Sequence, residues 1–317
     1  MAALSVRFLR SALALCLVLL AGAPAAAQDA ATLRIGFQKY GTLTILKALG
    51  TLDKKQAEQG VAIKWIEFPA GPQLLEGLNV GSIDFGTVGE SPPIFAQAAG
   101  APLVYVGNEP PAPESEAILV PKDSPIRSVA DLKGKKVALN KGSNVHYLLV
   151  KHLEKAGVAY RDVNVAYLTP ADARAAFERG SVDAWVIWDP FQAAAEQQLG
   201  ARVLADGKGV VNNYQFFLAS RDYLDRQPQV IKTLLDEIHK GDLWARDNQQ
   251  ASVDLLQPVL GLERPVVELA ARRLAYGVTP VTSQVLDHQQ EIADAFYALK
   301  LIPRKLDVRQ AAPAELQ

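Results

Sequence analysis

Short apolar segments alternate with segments of helical spacing through residues 33–106. Each apolar segment has four to seven residues, the usual length of a strand, and the helical segments between them carry apolar residues on one face. Strands that alternate with helices indicate parallel βαβ units and an α/β sheet. The predicted strands are 33–37, 62–68, 83–88 and 103–106, and the predicted helices are 43–59, a helix opened by Pro72, and 92–99.

A Pro-rich polar stretch, 107–116, separates this series from a second series of the same kind. Beyond Ser220 only helical spacing remains, which indicates that the chain enters a second lobe and then returns to the first. We therefore predict an α/β protein with lobe 1 formed by 28–116 plus 220–317 and lobe 2 by 117–219, and a ligand cleft between them. The later predicted strands are 137–139, 163–168, 182–187, 203–204 and 214–219, and the later helices are 145–153, 170–179, 228–246, 251–260, 265–276 and 283–299.

The N-terminus has the order of a secretory signal peptide. Two arginines precede an apolar run at 11–21, and Ala25 and Ala27 occupy the small-residue positions of an Ala-x-Ala cleavage site. We predict a signal peptide, 1–27, that is removed after Ala27. The alternative is a membrane anchor, but the run is too short to span a bilayer about 30 Å thick. In a bacterium, such a chain is exported to the periplasm.

Composition and charge exclude several classes of protein. The chain has 317 residues, 49% hydrophobic and 21% charged, with a net charge of −1, which is a globular balance without a basic footprint for nucleic acid. Cys16 is the only cysteine, so no intrachain disulfide can form, and the four histidines form no tight cluster. No metal or other cofactor is expected. The chain has no nucleophile elbow, P-loop, dinucleotide fingerprint or His-Glu-x-x-His motif, so we do not expect an enzyme.

Two segments share one design, in which a strand ends in a glycine-containing loop and a helix begins at once. They are 84–93, Asp-Phe-Gly-Thr-Val-Gly-Glu-Ser-Pro-Pro, and 137–146, Val-Ala-Leu-Asn-Lys-Gly-Ser-Asn-Val-His. Each offers unpaired backbone N–H groups and the positive end of a helix dipole, so two such loops facing one cleft predict a site for an oxyanion. The alternative is that Ser91, Ser143 and Asn144 are ordinary helix N-caps.

The dipeptide Trp188-Asp189 lies where a strand ends and the next helix begins, the edge at which open α/β sheets bind ligands. Trp185, Trp188 and Tyr214 are predicted to form an apolar wall for an organic group, with Asp189 as a polar contact. The alternative is that Trp185 belongs to the core and Asp189 caps the helix. His146, at the start of another helix, is a candidate donor to an anion because a neutral imidazole carries one N–H.

Seven runs of the mature chain match one family of exported binding proteins. These runs are 68–73 (Phe-Pro-Ala-Gly-Pro-Gln), 81–84 (Gly-Ser-Ile-Asp), 92–100 (Pro-Pro-Ile-Phe-Ala-Gln-Ala-Ala-Gly), 141–143 (Lys-Gly-Ser), 168–177 (Leu-Thr-Pro-Ala-Asp-Ala-Arg-Ala-Ala-Phe), 182–185 (Val-Asp-Ala-Trp) and 187–190 (Ile-Trp-Asp-Pro). Through them the chain resembles the periplasmic aliphatic sulfonate-binding proteins of ABC importers, within the wider nitrate, sulfonate and taurine group. The similarity spans the mature chain, and the runs are specific to the sulfonate branch.

The resemblance implies a type II periplasmic binding fold, in which two α/β lobes joined by two hinge strands close on a ligand. It implies capture of an aliphatic sulfonate anion, delivery to an ABC permease in the inner membrane for sulfur acquisition, and a monomer that binds no nucleic acid. Two departures from the family pattern, Gly-Glu at 89–90 and Ser-Asn-Val-His at 143–146, touch the pocket. The residues implied to face the cleft are Gln38, Gly89, Glu90, Ser91, Ser143, Asn144, His146, Trp188, Asp189 and Tyr214.

Other ligands and other classes of protein remain as alternatives. Taurine requires a carboxylate for its ammonium group, which Glu90 or Asp189 could supply. Aryl sulfonates, sulfate esters and nitrate are further alternatives, although nitrate leaves the aromatic residues without a role. A pyrimidine-precursor enzyme on the same fold, or a sensory ligand-binding domain, is the alternative from another class. The signal peptide and the absence of cysteine from the mature chain argue against the enzyme.

Overall fold

The strands form two separate five-stranded sheets, A and B, in the computed structural model, which describes residues 31–314. The predicted signal peptide, 1–27, lies outside the described residues. From one edge to the other, sheet A contains β2 (Val61–Glu67), β1 (Ala31–Phe37), β3 (Phe85–Gly89), β10 (Gln215–Ser220) and β4 (Leu103–Asn108); sheet B contains β7 (Asn164–Tyr167), β6 (Lys136–Leu139), β8 (Ala184–Trp188), β5 (Glu116–Val120) and β9 (Arg202–Asp206).

Each sheet combines parallel pairs with one antiparallel insertion. In sheet A, β1 and β3 are parallel, with Ile35 opposite Phe85, and β10 runs antiparallel between β3 and β4. In sheet B, β6 is parallel to β7 and β8, and β5 runs antiparallel between β8 and β9. The parallel pairs are the βαβ units that the alternating pattern predicts. The antiparallel insertions come from the two places where the chain passes from one sheet to the other.

Twelve α-helices among residues 31–314 cover the sheets and form the C-terminal part. Most begin where the sequence provides a start signal, either a proline in the first turn or a Ser or Thr just before it. The helices are α1 (Gly41–Leu49), α2 (Thr51–Ala57), α3 (Gly71–Asn79), α4 (Pro92–Ala98), α5 (Asn144–Lys155), α6 (Pro170–Glu178), α7 (Phe191–Leu199), α8 (Arg221–Arg226), α9 (Pro228–Asp247), α10 (Gln249–Leu260), α11 (Arg264–Arg273) and α12 (Ser283–Ala298).

The single helix predicted over 43–59 is wrong, because the structure has two helices there. Gly50 ends α1 in the left-handed conformation, with φ of 64°, and its N–H donates to the carbonyl oxygen of Leu46. A glycine in this conformation is the usual C-terminal cap of a helix, since it has no Cβ to be strained. The helix therefore stops at Leu49 and a new one starts at Thr51.

We call the part of the chain built on sheet A lobe 1 and the part built on sheet B lobe 2. The chain passes from β4 to β5 through 109–115, within the Pro-rich stretch that the sequence marks as a crossing. It returns through 207–214, because β10 already pairs with β3 and β4 of sheet A. The lobe boundaries predicted at 117 and 220 stay a prediction, and the pairing of β10 favours a return crossing before residue 215.

Helices cover both faces of the central strands of sheet B. All residues of β5 and β8 are buried, as in the continuous apolar strands of sheets with two covered faces. Each fully buried Leu, Ile or Val side chain in them contributes about 1.5–3 kcal/mol to folding. Both lobes belong to one compact unit that begins at Thr32. No helix among residues 31–314 is long and apolar enough to cross a membrane.

Candidate ligand-binding site

A small cavity lies between the two sheets, and residues of both lobes form its wall. Its volume of about 20 Å³ holds roughly one water molecule, so a larger ligand requires movement of the wall. Lobe 1 contributes the segments that follow β1 and β3, whereas lobe 2 contributes the start of α5 and the end of β8. The lining residues are Gln38, Tyr40, Gly71, Gly89, Pro92, Ser143, Asn144, Trp188, Asn213 and Gln215.

Four helices begin at this cavity. Tyr40 immediately precedes α1, and Gly71, Pro92 and Asn144 are the first residues of α3, α4 and α5. The N–H groups of a first helical turn have no acceptor within the helix, and the helix dipole places partial positive charge there. Convergence of four such ends favours an anion in the cavity, as the two glycine-containing loops predict.

Asn144 connects the cavity to a buried carboxylate that the sequence analysis does not single out. Its Nδ2 donates to Glu116 Oε2 at 2.6 Å and to Asn213 Oδ1 at 3.1 Å. Burial, and secondarily the charge of Glu90, raises the pKa of Glu116 well above its usual value. Glu116 is the first residue of β5, and no strand is predicted over residues 116–120. The sequence pattern therefore gives no reason to place the Glu116 side chain beside the cavity.

The two serines at the predicted anion loops do not cap their helices with their side chains. Ser143 lines the cavity, but its Oγ donates to the carbonyl oxygen of Asn140 at 2.7 Å. Ser91 is fully buried, and its Oγ has no hydrogen-bond partner among residues 31–314. The ordinary-cap alternative is therefore wrong for both serines. A buried hydroxyl without a partner costs about 1–3 kcal/mol, which a ligand oxygen could offset.

Glu90 is buried beside the cavity but does not line it. Its Oε2 accepts from the backbone N–H of Tyr214 at 3.1 Å and lies 3.6 Å from His288 Nε2. Burial lowers the pKa of His288, but the nearby carboxylates of Glu90 and Glu291 outweigh burial and raise it overall. Glu90 thus ties the crossing segment at Tyr214 to α12, a helix far away in sequence.

Only one member of the predicted aromatic wall lines the cavity. Trp188 is 5% exposed and forms part of the lining. Trp185 belongs to the core, with its ring centroid 5.9 Å from that of Phe177, as the alternative proposes. Tyr214 is half-buried and packs against His288 with ring centroids 5.8 Å apart. Successive side chains of a strand point to opposite faces of the sheet. Trp185 and Trp188 are three positions apart on β8, so they point to opposite faces.

Asp189, predicted as a polar contact to a ligand, does not line the cavity, and protein groups bind its carboxylate. Oδ1 accepts from the backbone N–H of Ala193 at 3.0 Å, near the start of α7. Arg273 Nη1 lies 3.4 Å from Oδ1 and 3.5 Å from Oδ2. Burial raises the pKa of Asp189 to about 7, and the charge of Arg273 opposes that rise. The Asp189 side chain does not line the cavity.

His146 is also not at the cavity, which corrects its prediction as an anion donor. Its Nδ1 accepts from the N–H of Gly142 at 3.2 Å, so the ring proton is on Nε2, which donates to the Tyr160 hydroxyl at 2.7 Å. The ring packs among aromatic side chains, including Phe95 with centroids 6.2 Å apart. Burial, followed by the charge of Lys141, lowers the pKa of His146 to about 3. The histidine is neutral and structural.

The chemistry of the cavity is that of a binding site. Its wall consists of amide side chains, a serine hydroxyl, first-turn N–H groups and one tryptophan. Among residues 31–314, no group of three or more His, Cys, Asp or Glu side chains is placed to hold a metal ion. The arrangement can donate several hydrogen bonds to an anion and cover a small apolar group, as expected for small-molecule sites.

The chain is similar to known proteins over most of its length. The model of the family described as NMT1/THI5 like matches residues 57–252. A curated relative from Escherichia coli (strain K12), whose name places it among the aliphatic sulfonates-binding proteins, is 48% identical over 290 residues, covering 91% of this chain and 90% of the relative.

Two solved structures share the fold and much of the sequence. The alkanesulfonate-binding protein SsuA from Xanthomonas axonopodis pv. citri, bound to MOPS, has a TM-score of 0.86 and 45% identity, covering 90% of this chain and 99% of that chain. The periplasmic aliphatic sulphonate binding protein SsuA from Escherichia coli has a TM-score of 0.80 and 48% identity, covering 88% and 91%. These likenesses and the two sheets confirm the predicted two-lobed α/β class.

Proposed function

Because this chain belongs to the NMT1/THI5-like family and, within it, to the aliphatic sulfonate-binding proteins, we propose that it captures an organosulfonate between its two lobes. The observation that carries the proposal is the convergence of four helix N-termini on one cavity with polar, uncharged side chains in its wall. The protein acts by binding and release and does not transform its ligand.

A sulfonate fits this wall for chemical reasons. It is a permanent monoanion with three acceptor oxygens and no proton to donate at neutral pH. It therefore needs N–H and O–H donors and partial positive charge, and it does not need a neutralising arginine. Trp188 covers the carbon tail, and burial of that tail contributes about 25 cal/mol per Å². Gln38, Ser143 and Asn144 are the side chains proposed to contact the sulfonate head. For this, Ser143 must give up its hydrogen bond to Asn140, and Asn144 one of its bonds to Glu116 and Asn213, when the wall moves to admit the ligand.

The remaining parts of the proposal concern place and partners. Export through the predicted signal peptide, 1–27, with cleavage after Ala27, delivers the mature chain to the periplasm, in keeping with the periplasmic relative from Escherichia coli. There the ligand-loaded protein, as a monomer, hands its sulfonate to an ABC permease of the inner membrane. The imported compound serves as a source of sulfur.

Thermal unfolding of residues 28–317 with a panel of anions tests the proposal. The panel is ethanesulfonate, taurine, benzenesulfonate, nitrate and sulfate. A ligand at a hundred times its Kd adds about 2.7 kcal/mol to the free energy of unfolding, so binding raises the unfolding temperature clearly. We expect a rise with ethanesulfonate and none with nitrate or sulfate. No rise with any sulfonate contradicts the proposal, and a rise with taurine alone reassigns the ligand.

A pair of asparagine variants locates the site. Asn144→Ala removes a cavity residue at the start of α5, whereas Asn164→Ala removes an exposed residue of β7 that donates to the carbonyl oxygen of Gly134. We expect Asn144→Ala to weaken ethanesulfonate binding about tenfold or more, as for loss of a hydrogen bond to a charged group. Equal binding by the two variants contradicts this location. Each panel anion is also incubated with the protein and then analysed by chromatography. Chemical conversion of any of them would contradict a purely binding role.

A further inference from the structure

Helix α11 packs against both lobes at once. On one face, Val267 shares a buried cluster with Ile45 of α1, which follows the first strand of sheet A. On the adjacent face, Ala270 shares another buried cluster with Ala193 of α7, which follows β8 of sheet B. Val266 and Ala270 are four positions apart and lie on one face of the helix, and Val267, one position from Val266, lies on the adjacent face, so one rigid element can hold both contacts. The packing of α11 against α7 therefore links the two lobes directly.

The last residue of α11, Arg273, extends this link with charge. Its Nη2 donates to Oε2 of Glu196 at 3.1 Å, and its Nη1 lies 2.8 Å from Oε1 as an ion contact without a hydrogen bond, so two guanidinium nitrogens face the two carboxylate oxygens as a fork. Nη1 also reaches the fully buried carboxylate of Asp189. The Arg273 side chain is only 16% exposed. A planar guanidinium in such a fork fixes geometry as well as charge.

Asp189 connects this ion network to the wall of the cavity. The preceding residue, Trp188, lines the cavity, and the Asp189 N–H donates to the carbonyl oxygen of Ser115 at 2.9 Å. The Ser115 hydroxyl in turn contacts two lining residues, the Tyr40 hydroxyl at 3.2 Å and Asn213 Nδ2 at 3.0 Å. A shift of Asp189 is therefore transmitted to Trp188 directly and to the opposite wall through Ser115.

We propose that Arg273 is a positioning residue for the sulfonate site, which it does not line. Its guanidinium holds Asp189 and α7 against α11, and thereby holds Trp188 at the cavity while the lobes are together. Removing the guanidinium leaves a buried carboxylate without a counter-charge, and Asp189 then moves toward water or takes up a proton. Either change loosens the wall of the cavity. The inference rests on the proposed function, because its readout is sulfonate affinity.

The helix itself provides a matched control. Arg264, at the opposite end of α11, also forms ion pairs, with Asp254 and Glu268, but its side chain is 40% exposed and its partners are on α10 and α11. Arg264→Gln removes a similar number of ionic contacts without touching lobe 2. Arg273→Lys keeps the positive charge near the anion site but loses the fork, so it separates positioning from long-range attraction.

Titration calorimetry with ethanesulfonate on the mature chain tests the inference. We expect Arg273→Gln and Arg273→Lys to raise the Kd about tenfold, within the range of couplings between linked residues, and Arg264→Gln to change it less than twofold. Adding Asp189→Asn to Arg273→Gln should recover at least half of the lost affinity, because the fully buried charge of Asp189 is then gone and only Glu196, whose side chain is 20% exposed, loses its partner. A residue that only stabilises the fold would lower the unfolding temperature without this rescue.

Three results would overturn parts of the scheme, and they are distinct. A wild-type chain that binds no sulfonate overturns both the proposed function and this inference. A wild-type chain that binds, together with Arg273→Gln that binds equally well, overturns the inference alone. Binding by Arg273→Lys at the wild-type Kd shows that charge, and not the fork, sets the affinity, and it also overturns the inference. Should Arg273→Gln fail to fold, Arg273→Lys with and without Asp189→Asn carries the same comparison.

Discussion

Gly89 and Asn144 meet across the gap between the two lobes. A Cβ added to Gly89 would lie 2.9 Å from the Asn144 Cβ, a distance that real Cβ atoms do not show. Gly89 ends β3 of sheet A, and Asn144 begins α5 of lobe 2. The glycine therefore sets how closely the lobes approach at the cavity, and its neighbour Asn144 is held there by Glu116.

Gly89→Ala should weaken sulfonate binding by forcing the lobes apart at this point. Overpacking of a close contact costs about 1–3 kcal/mol, and we expect most of that cost in the free energy of binding rather than of unfolding. Gly241→Ala is the control, because its Cβ would approach no closer than 4.0 Å, to Leu46. Calorimetric Kd values and unfolding temperatures of both variants check the prediction; an unchanged Kd for Gly89→Ala contradicts it.

Ser91→Ala should preserve or raise the stability of the ligand-free protein while weakening ligand binding. The buried Ser91 hydroxyl has no partner among residues 31–314, so its removal relieves a desolvation penalty. Ser91 does not line the cavity, but it precedes the lining residue Pro92, and we expect the wall movement that admits a ligand to bring its hydroxyl to a sulfonate oxygen. Loss of that hydrogen bond would cost about 1.5–3 kcal/mol in binding. Ser252 is equally buried and unpartnered but lies on α10. Ser252→Ala should match the stability effect and leave the Kd unchanged.

His146 should make the fold sensitive to acid. Its pKa falls from 6.5 in the unfolded chain to about 3 in the folded protein, so below pH 6.5 the unfolded chain binds the proton more readily. The stability that neutral His146 provides is thus complete above pH 6.5 and is lost progressively as the pH falls toward 3, by at most about 1.4 kcal/mol per pH unit.

Urea unfolding at pH 7, 6, 5 and 4 measures this loss. His146→Phe should be less stable than the wild type at pH 7, because Gly142 and Tyr160 lose a partner, but its stability should decline less as the pH falls. Asn164→Ala, at an exposed position without an ionisable group, should retain the wild-type slope. Equal slopes for the wild type and His146→Phe would refute the assignment. Because His146 does not line the cavity, His146→Phe should bind ethanesulfonate with an unchanged Kd.

Trp188→Ala should reduce the preference for longer carbon tails. Each methylene buried against the wall contributes about 0.8 kcal/mol, or roughly fourfold in Kd. We expect the gain in affinity from methanesulfonate to butanesulfonate to shrink in Trp188→Ala and to persist in Trp244→Ala, whose tryptophan packs beside a cluster of α9 to α11. Competition against a labelled sulfonate measures both series, and an undiminished gain in Trp188→Ala would remove the tryptophan from the tail site.

The sequence by itself determined the alternation of strands and helices, the α/β class and the two loops that converge on the cavity. These features are local, because hydrophobic periodicity and proline and glycine signals determine secondary structure within a few residues, as in the run 92–100. Gln38, Gly89, Ser143, Asn144 and Trp188, which the family resemblance implies to face the cleft, lie in one cavity wall to which both sheets contribute. Their role in binding stays a prediction.

Only the tertiary structure decided which of the loop side chains are free for a ligand. His146 and Asp189 lie next to the start of a helix in the sequence, where a ligand contact is expected. In the structure, the Tyr160 hydroxyl bonds to His146 and the Arg273 guanidinium pairs with Asp189. Glu116 enters the site through an antiparallel strand that pairs with β8 and β9, a contact that no local pattern encodes. A side chain's role depends on the hydrogen bonds and charges that reach it, and those come from distant residues, such as Arg273, which lies 84 positions from Asp189.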